Sequence, residues 1–496
     1  MQGTATQQQI FEEITAPLGV TFDSESPVEI IQQPGYIDSP VATHDFATAA
    51  LAALGKATAT IGQMRGLGSQ AMRIDRRHAG LVLNSVAYHF QEGWQLDISP
   101  VHTPVNNFFT TKDSRHVMYN GAYTHLREGI LQFLNCVGER EAIADATSHY
   151  AAQDLEDQLS ALGLCTTIVR DQQEWLDHPQ GKAIAAAPVI ELTKMADGPP
   201  EPFSKDVSRP LEQIRVLEFA RVLAGPTIGR SLAEQGADVI HGRHPYLDHI
   251  FPFEVETGWG KKSAYLDYQS ERDRSLIFHL LESADVFIDG LRHGAMARAG
   301  FSVEELTRRK KNLIIVQLDC YGFQGPWAER RGWEQLAQSC TGLAKIHSAN
   351  QPQLSLIPAY FNDYGTGLLG ALGATAALIR RATEGGSWLV RVALTKTAML
   401  ATRYHNNIEE PVPITQEDLE NYLVDQESRL GLLTRVAPAI QFERTPSFSA
   451  RAGTAPGSDT LNLCWDSEPS PPQQLPHRPT EIFPQHQVHW KANQTL

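Results

Sequence analysis

The stretch "RRGWEQLAQSCTGLA", residues 330–344, sets one carboxylate, Glu334, after a glycine and a tryptophan and at the start of an amphipathic helical pattern. An acid in that place has two uses. It can serve chemistry, as a nucleophile that splits one difficult step into two easier ones or as a base, which needs only reach and a suitable pKa. It can also settle a helix N-terminus, where a negative charge gains about 0.3–1 kcal/mol from the helix dipole. A second acid, Asp363 in "FNDYGTGLLG", stands just before an apolar helical run. It reads first as an N-cap, worth about 1 kcal/mol, and second as an assistant in catalysis.

The elements that must position these acids are legible around them. The runs "IRVLEFA", "ADVIHG", "SAYLDY", "ADVFIDG" and "LIIVQLDC" read as buried strands, and helical patterns such as "SERDRSLIFHLLES" separate them at βαβ intervals. The expected fold class is therefore α/β, with a Rossmann-like parallel sheet over roughly residues 212–320. Ligands on such sheets bind beyond the carboxyl ends of the strands. Binding residues are accordingly sought in the loops "RVLAGP", "GWGKK" and "DGLRHG".

Residues 110–205 differ in texture. "RHVMYNGAY" and "CTTIVRD" read as strands, and "LREGILQFLNCV", "AQDLEDQLSALGL" and "QEWLDHPQGKAIAA" as helices, a smaller α+β domain closed by the Pro- and Ser-rich linker "ADGPPEPFSKDVSRP". A weak repeat joins the two ends of the chain. A long Ala-rich helix near Ala42–Leu67 leads to "GSQAMRIDRRHAGLVL", and a helix over Leu368–Arg381 leads to "GSWLVRVALTKTAML". Both read helix, Gly-Ser, strand, helix, as remnants of two copies of one architecture would. The Pro-, Ser-, Gln- and His-rich tail after about residue 450 is too polar to order itself, and is expected to drape over the body or to move.

A chain of 496 residues needs more than one core. Its formal charge of -15 disfavours nucleic acid, which demands a basic face. The run "RRKKN" (308–312) comes after an amphipathic segment and reads as cations at a helix C-terminus. No apolar run reaches the length of a membrane span. The first residues lack a basic leader and apolar core, so the expected location is cytoplasmic. Five scattered cysteines, never spaced as CxxC, suggest neither a disulfide framework nor a metal site.

The series "RVLEFARVLAGPTIGRSLAEQGADVI", "GKKSAYLDY", "ADVFIDGLRHGAMARAGF", "DCYGFQGPW", "GWEQLAQSCTGLA" and "DYGTGLLGALGATAALIRR" resembles the class III CoA-transferase (CaiB/BaiF) family. The resemblance implies a Rossmann-like large domain with a small α+β domain. The small domain comes first here, as though the C-terminal half of one copy were joined to the N-terminal half of another. The implied division is 1–109, resembling the C-terminal part of a large domain; 110–205, the small domain; 206–405, the main large domain; and 406–496, a partly irregular extension.

The same resemblance implies an acyl-CoA transferase. At the position of Glu334 the family carries an aspartate that attacks the thioester and forms an enzyme-bound anhydride. Glu334 keeps the carboxylate but adds a methylene, a displacement of about 1 Å that costs about 10²-fold if nothing compensates. It would stand free at the mouth of a nucleotide cleft. Asp363 also falls on a family aspartate. Coenzyme A is implied as a co-substrate, with no tightly bound cofactor and no metal. It would contact Arg221, Val222, Leu223 and Ala224, then Lys261 or Lys262, and Gly290, Leu291 and Arg298, the cations answering phosphates.

The implied partners are an acyl-CoA and a small organic acid, with a homodimer or an internally completed pseudo-dimer as the assembly. Departures from the family pattern are His241, Arg243 and His244 in "VIHGRHPYLDH", and the Gly290-Leu291 pair. Trp333 stands where the racemase branch has a histidine before its acid, which disfavours a two-base racemase. Two other readings stay open: a lyase, isomerase or dehydratase of specialised metabolism with Glu334 as base, possibly independent of CoA, and a non-catalytic binding protein.

Overall fold

The computed structural model describes residues 3–405 and 410–466. Seven strands form one sheet: β1 (Glu191–Ala196), β2 (Arg215–Ala220), β3 (Asp238–Arg243), β4 (Lys261–Tyr265), β5 (Val286–Gly290), β6 (Ile314–Asp319) and β7 (Ser387–Ala393). Their order is β4-β3-β2-β5-β6-β7-β1. All neighbours are parallel except β7 and β1. The order reverses between β2 and β5, which opens a crevice beyond their carboxyl ends at Ala220 and Gly290.

Six helices build or flank the site and its repeat: α1 (Ala5–Thr15), α2 (Thr43–Met64), α3 (Ala224–Ala233), α4 (Glu334–Cys340), α5 (Phe361–Glu384) and α6 (Leu394–Ala401). Helix α5 is buried along nearly its whole length. A helix apolar on every side belongs in the middle of a protein, and α5 lies there between the sheet and α2.

The expected strands of the central region all form. The sheet nevertheless extends past residues 212–320, because β7 and the edge strand β1 belong to it. β1 has a mostly exposed or half-buried pattern, so its sequence lacks the buried-strand signal. The small domain holds the antiparallel strands Phe108–Thr110, His116–Tyr119 and Thr166–Ile168 and the helices Thr124–Leu134, Arg140–Thr147 and Ala152–Ala161. Its core closes around Phe109, Tyr119, Ile130 and Leu155. "QEWLDHPQGKAIAA" is two helices, Gln172–Asp177 and Pro179–Ala186, broken at His178, since a residue before proline is pushed out of the helical region. Trp175 and Ile184 of this pair pack with Tyr321, Ala337 and Leu394, on the large domain.

The two segments of the repeat share one order of elements. α2, the strand Met72–Asp75 and the helix Arg76–Val82 have the same helix, strand, helix order as α5, β7 and α6. "HDFATAALAALG" (44–55) and "NDYGTGLLGALG" (362–373) align without a gap, and Asp45 and Asp363 are each the third residue of their helix. The two helices pack on each other. Phe46 and Phe361 meet edge to face at 5.0 Å, and a Cβ on Gly365 would come within 2.9 Å of the Phe46 ring, so the glycine permits the approach.

Residues 423–442 form part of the N-terminal unit. The hairpin Leu423–Ser428 and Gly431–Val436 joins Phe90–Gln91 and Trp94–Gln95 in one antiparallel sheet, and Gln441–Phe442 pairs with Met72–Asp75. Residues 457–466 drape along β4, where Ser263 N–H donates to Asp459 and Tyr265 N–H to Thr460 Oγ1, both at 2.9 Å. The Pro- and Gln-rich stretch from 467 lies outside the described residues. Arg308 and Arg309 end the helix Val303–Arg309 and both pair with Glu305, the structural use read for the basic run.

Candidate active site

Glu334 is the first residue of α4, after Trp333, and only 3% of it is exposed. The expected carboxylate standing free at a mouth is therefore corrected: the carboxyl is held at the floor. Gln338 Nε2, one turn on, donates to Oε1 at 2.7 Å. The backbone N–H of Asp363, in the first turn of α5, donates to Oε2 at 2.9 Å. Glu334 thus stands in the first turn of its own helix and also accepts from the N-terminus of α5. Gln338 is itself fixed, since Ile357 N–H donates to its Oε1 at 2.9 Å.

Burial is the largest influence on Glu334 and lifts its carboxyl from 4.5 to about 7, against the lowering pull of Gln338 and of the N–H groups of Asn362 and Asp363. Asp363 is buried beside it. Desolvation first, and the charge of Glu334 second, hold Asp363 well above the usual carboxylate range. Two acids in one dry place cannot both ionise, and Glu334 has the hydrogen bonds that favour the anion. Asp363 is then the neutral partner. Its expected role as an N-cap is corrected as well: the cap position is Tyr360, and Asp363 is the third helical residue.

A cleft opens onto Glu334. The small domain gives it Phe108 and Met118, the loop 354–360 gives it Leu354, Leu356 and Ile357, and His102, Asn106 and Asn107 complete one wall. Trp333 ties the floor to the small domain, its indole N–H meeting Cys165 Sγ at 3.2 Å and its ring lying 5.3 Å from that of Tyr123.

The loop after β2 lies next to this floor. Arg221 sits over the Tyr123 ring at 5.4 Å and donates to the Asp248 carbonyl. Val222 has φ +66°, a left-handed backbone that a β-branched residue adopts only under constraint, and it packs against the small-domain core, as Trp333 and Leu356 do. Leu223 and Ala224 are buried where α3 begins. Gly290 closes the other side of the crevice, where a Cβ would meet Ala220 Cβ at 2.9 Å and Gly225 Cα at 3.3 Å. A glycine is required there by the close packing of strand and helix. Leu291 is half-buried and packs against the second core. Arg298 is exposed, with its guanidinium near the His293 carbonyl at 3.4 Å.

The lysines behave differently. Lys261 and Lys262 lie at the amino end of β4. Lys261 is 1% exposed, and its ammonium donates to Glu218 Oε1 at 2.7 Å and to the Pro226 carbonyl at 2.6 Å. Lys262 pairs with Asp466 at 2.8 Å. Both charges are matched inside the protein, so direct phosphate contact by either is corrected to a structural role. His241, one of the departures noted in the sequence, accounts for part of this: its Nδ1 meets Glu218 Oε1 at 2.6 Å.

Two cations that sequence reasoning misses gather where the lysines were expected. Arg292 has Arg331 and Arg298 as electrostatic neighbours, and burial followed by their like charge lowers its pKa. His125 of the small domain is depressed by burial and by Arg331, Arg221 and Arg292 together. Four arginines therefore share the region between the strand ends and the small domain. Among the described residues no group of three or more His, Cys, Asp or Glu side chains could hold a metal ion, and no helix is long and apolar enough to cross a membrane.

In the other half of the repeat, Asp45 occupies the place of Asp363. It accepts from Gln7 Nε2 at 2.7 Å and from Arg76 Nε at 2.9 Å. An amide from α1 and a guanidinium face it where α5 faces a second carboxylate. That counterpart is filled and neutralised.

Residues 211–420 match the model of CoA-transferase family III. The chain is 32% identical over 317 residues to the acetyl-coenzyme A transferase nodX of Hypoxylon pulicicidum, which covers 58% of this chain and 53% of that protein. It is 32% identical over 270 residues to an acyl-CoA transferase of Gibberella moniliformis, covering 51% and 47%. A crystal structure of a CAIB/BAIF family protein from Brucella suis is 26% identical, with a TM-score of 0.37, over 46% of this chain and 65% of that one. The chain spans about half the length of the curated relatives it matches.

Proposed function

We propose, from the match of residues 211–420 to CoA-transferase family III, that this chain is an acyl-CoA transferase with Glu334 as its nucleophile. The observation that carries the reading is the carboxylate of Glu334, fixed by Gln338 and the Asp363 N–H at the floor of the cleft, with a pKa of about 7. Half-ionised near neutrality, it combines an available anion with useful basicity. The ionised oxygen attacks the thioester carbonyl; a C–O bond forms, the C–S bond breaks, and CoA leaves as the thiolate. The acyl group remains on Glu334 as an anhydride until an acceptor acid completes the exchange.

The N–H groups at the start of α5 hold the carboxylate in line without quenching it. Arg221, Arg292, Arg298 and Arg331 answer the phosphates of CoA, while Val222 to Ala224 and Leu291 offer backbone and apolar atoms to its uncharged parts. The N-terminal unit supplies internally the packing partner of α5, which supports a pseudo-dimer completed within one chain. The test is exchange of labelled CoA into an acyl-CoA without an acceptor. The wild type catalyses it and Glu334→Gln does not; equal exchange by both would reject the reading.

A second reading, Glu334 as a base in an elimination or isomerisation, draws on the same pKa of about 7. It requires either solvent deuterium in an isomerised product or an eliminated product, and acyl transfer gives neither.

A further inference from the structure

The cleft at Glu334 has a distinctive lining. Phe108, Met118, Leu354, Leu356, Ile357 and Pro358 give it an apolar lining, and its polar groups besides Glu334 are uncharged amides and two hydroxyls together with one imidazole, His102. Among the described residues no lysine or arginine lines it. The four arginines of the crevice are on other segments, and none of them borders this space. The ionisable groups that face it are Glu334, the neighbouring Asp363 behind it, Tyr360 and His102.

We propose that this cleft receives the acyl part of the thioester and selects an apolar, uncharged acyl group over one ending in a second carboxylate. The inference rests on the acyl-CoA transferase reading and names its substrate class. With the phosphates held at the arginines, the thioester carbon meets Glu334 at the floor, and the acyl chain continues into the space lined by Phe108, Met118 and Leu356. Each methylene buried there is worth about 0.8 kcal/mol, a rate gain of roughly fourfold. A terminal carboxylate would lose its water without meeting a cation and would approach a site already carrying one negative charge, both of which disfavour it.

Some curated relatives act on such acids by name, among them a succinate--glutarate CoA-transferase of Agrobacterium fabrum and a formyl-CoA:oxalate CoA-transferase of Afipia carboxidovorans. The apolar cleft separates this chain from that specificity.

The test compares hexanoyl-CoA with adipyl-CoA, which differ in a terminal methyl against a carboxylate, by the rate at which each exchanges labelled CoA on the full chain. We expect kcat/KM for hexanoyl-CoA to be higher by about 10²-fold, and Leu356→Arg to shrink that ratio at least tenfold by supplying the missing cation. Equal rates, or a preference for adipyl-CoA in the wild type, would overturn the selectivity while leaving the transferase reading intact. No Glu334-dependent exchange with either thioester would overturn the transferase reading and this inference together. The wild-type ratio decides the matter even where the Leu356 variant does not fold.

Discussion

The backbone N–H of Asp363 donates to Glu334 Oε2 at 2.9 Å while the Asp363 carboxyl lies buried beside the same oxygen's residue. One aspartate thus stabilises the neighbouring anion through its main chain and, by staying protonated, refrains from repelling it through its side chain. The pH dependence of the reaction has a definite sign. The reactive form of Glu334 is ionised, so CoA exchange rises with pH through about 7 and falls about tenfold per unit below it. Because Asp363 is already neutral there, Asp363→Asn leaves the midpoint in place. A midpoint that drops by a unit or more in the pH–rate profile would show that Asp363 carries charge.

Gln338 links the nucleophile to the cleft wall through Glu334 Oε1 and Ile357 N–H. Gln338→Leu removes a hydrogen bond to a charged group, worth about 1.5–3 kcal/mol. The Glu334 pKa should rise by about 1–2 units, moving the rising limb of the profile to higher pH and slowing exchange at pH 7 about 5- to 50-fold. Back-titration at high pH recovers part of the rate. A uniform loss at every pH would point to misplacement of the carboxylate instead.

Much of this arrangement is legible in the sequence alone. Glu334 stands out because an acid comes after a Gly-Trp pair at a helix start, and the βαβ spacing places two of the three loops, after β2 and β5, at the carboxyl ends of their strands, whereas "GWGKK" enters β4 at its amino end. The roles of Lys261 and Asp363 are not legible. Each depends on partners distant in sequence, Glu218 and Pro226 for the lysine and Glu334 for the aspartate, and no local pattern encodes such partners. Arg292 stands in a loop singled out by spacing and Arg331 three residues before Glu334, yet only the folded chain brings them together. β1 escapes because an edge strand with an exposed face lacks the apolar run of a central one.

Lys261 tests the division between binding and stability. Removing one partner of a buried pair strands the other charge, which costs about 3–5 kcal/mol. Lys261→Met should therefore lower the midpoint of chemical denaturation, and Lys261→Met with Glu218→Leu should recover part of the loss. If Lys261→Met instead raised KM for acyl-CoA with stability unchanged, the ammonium would be a phosphate ligand.

The ion pair at Asp45 predicts an asymmetric molecule. Only the α5 half presents a carboxylate opposite its aspartate, so one acyl group per chain should be trapped at saturation. Asp45→Asn should leave exchange within about twofold of wild type and cost about 1–3 kcal/mol of stability through the lost charge-assisted bonds from Arg76 and Gln7. Intact-protein mass measurement counts the adducts, and a second adduct per chain would show that the N-terminal half is active.

Acylation of Glu334 itself is measured most directly by mixing the full chain with an acyl-CoA, quenching with hydroxylamine and sequencing the peptides by mass spectrometry. A nucleophilic Glu334 yields a hydroxamate at that residue, formed only after exposure to the thioester and absent from Glu334→Gln. Steady CoA turnover with an unmodified Glu334, or a hydroxamate on another residue, would contradict that role.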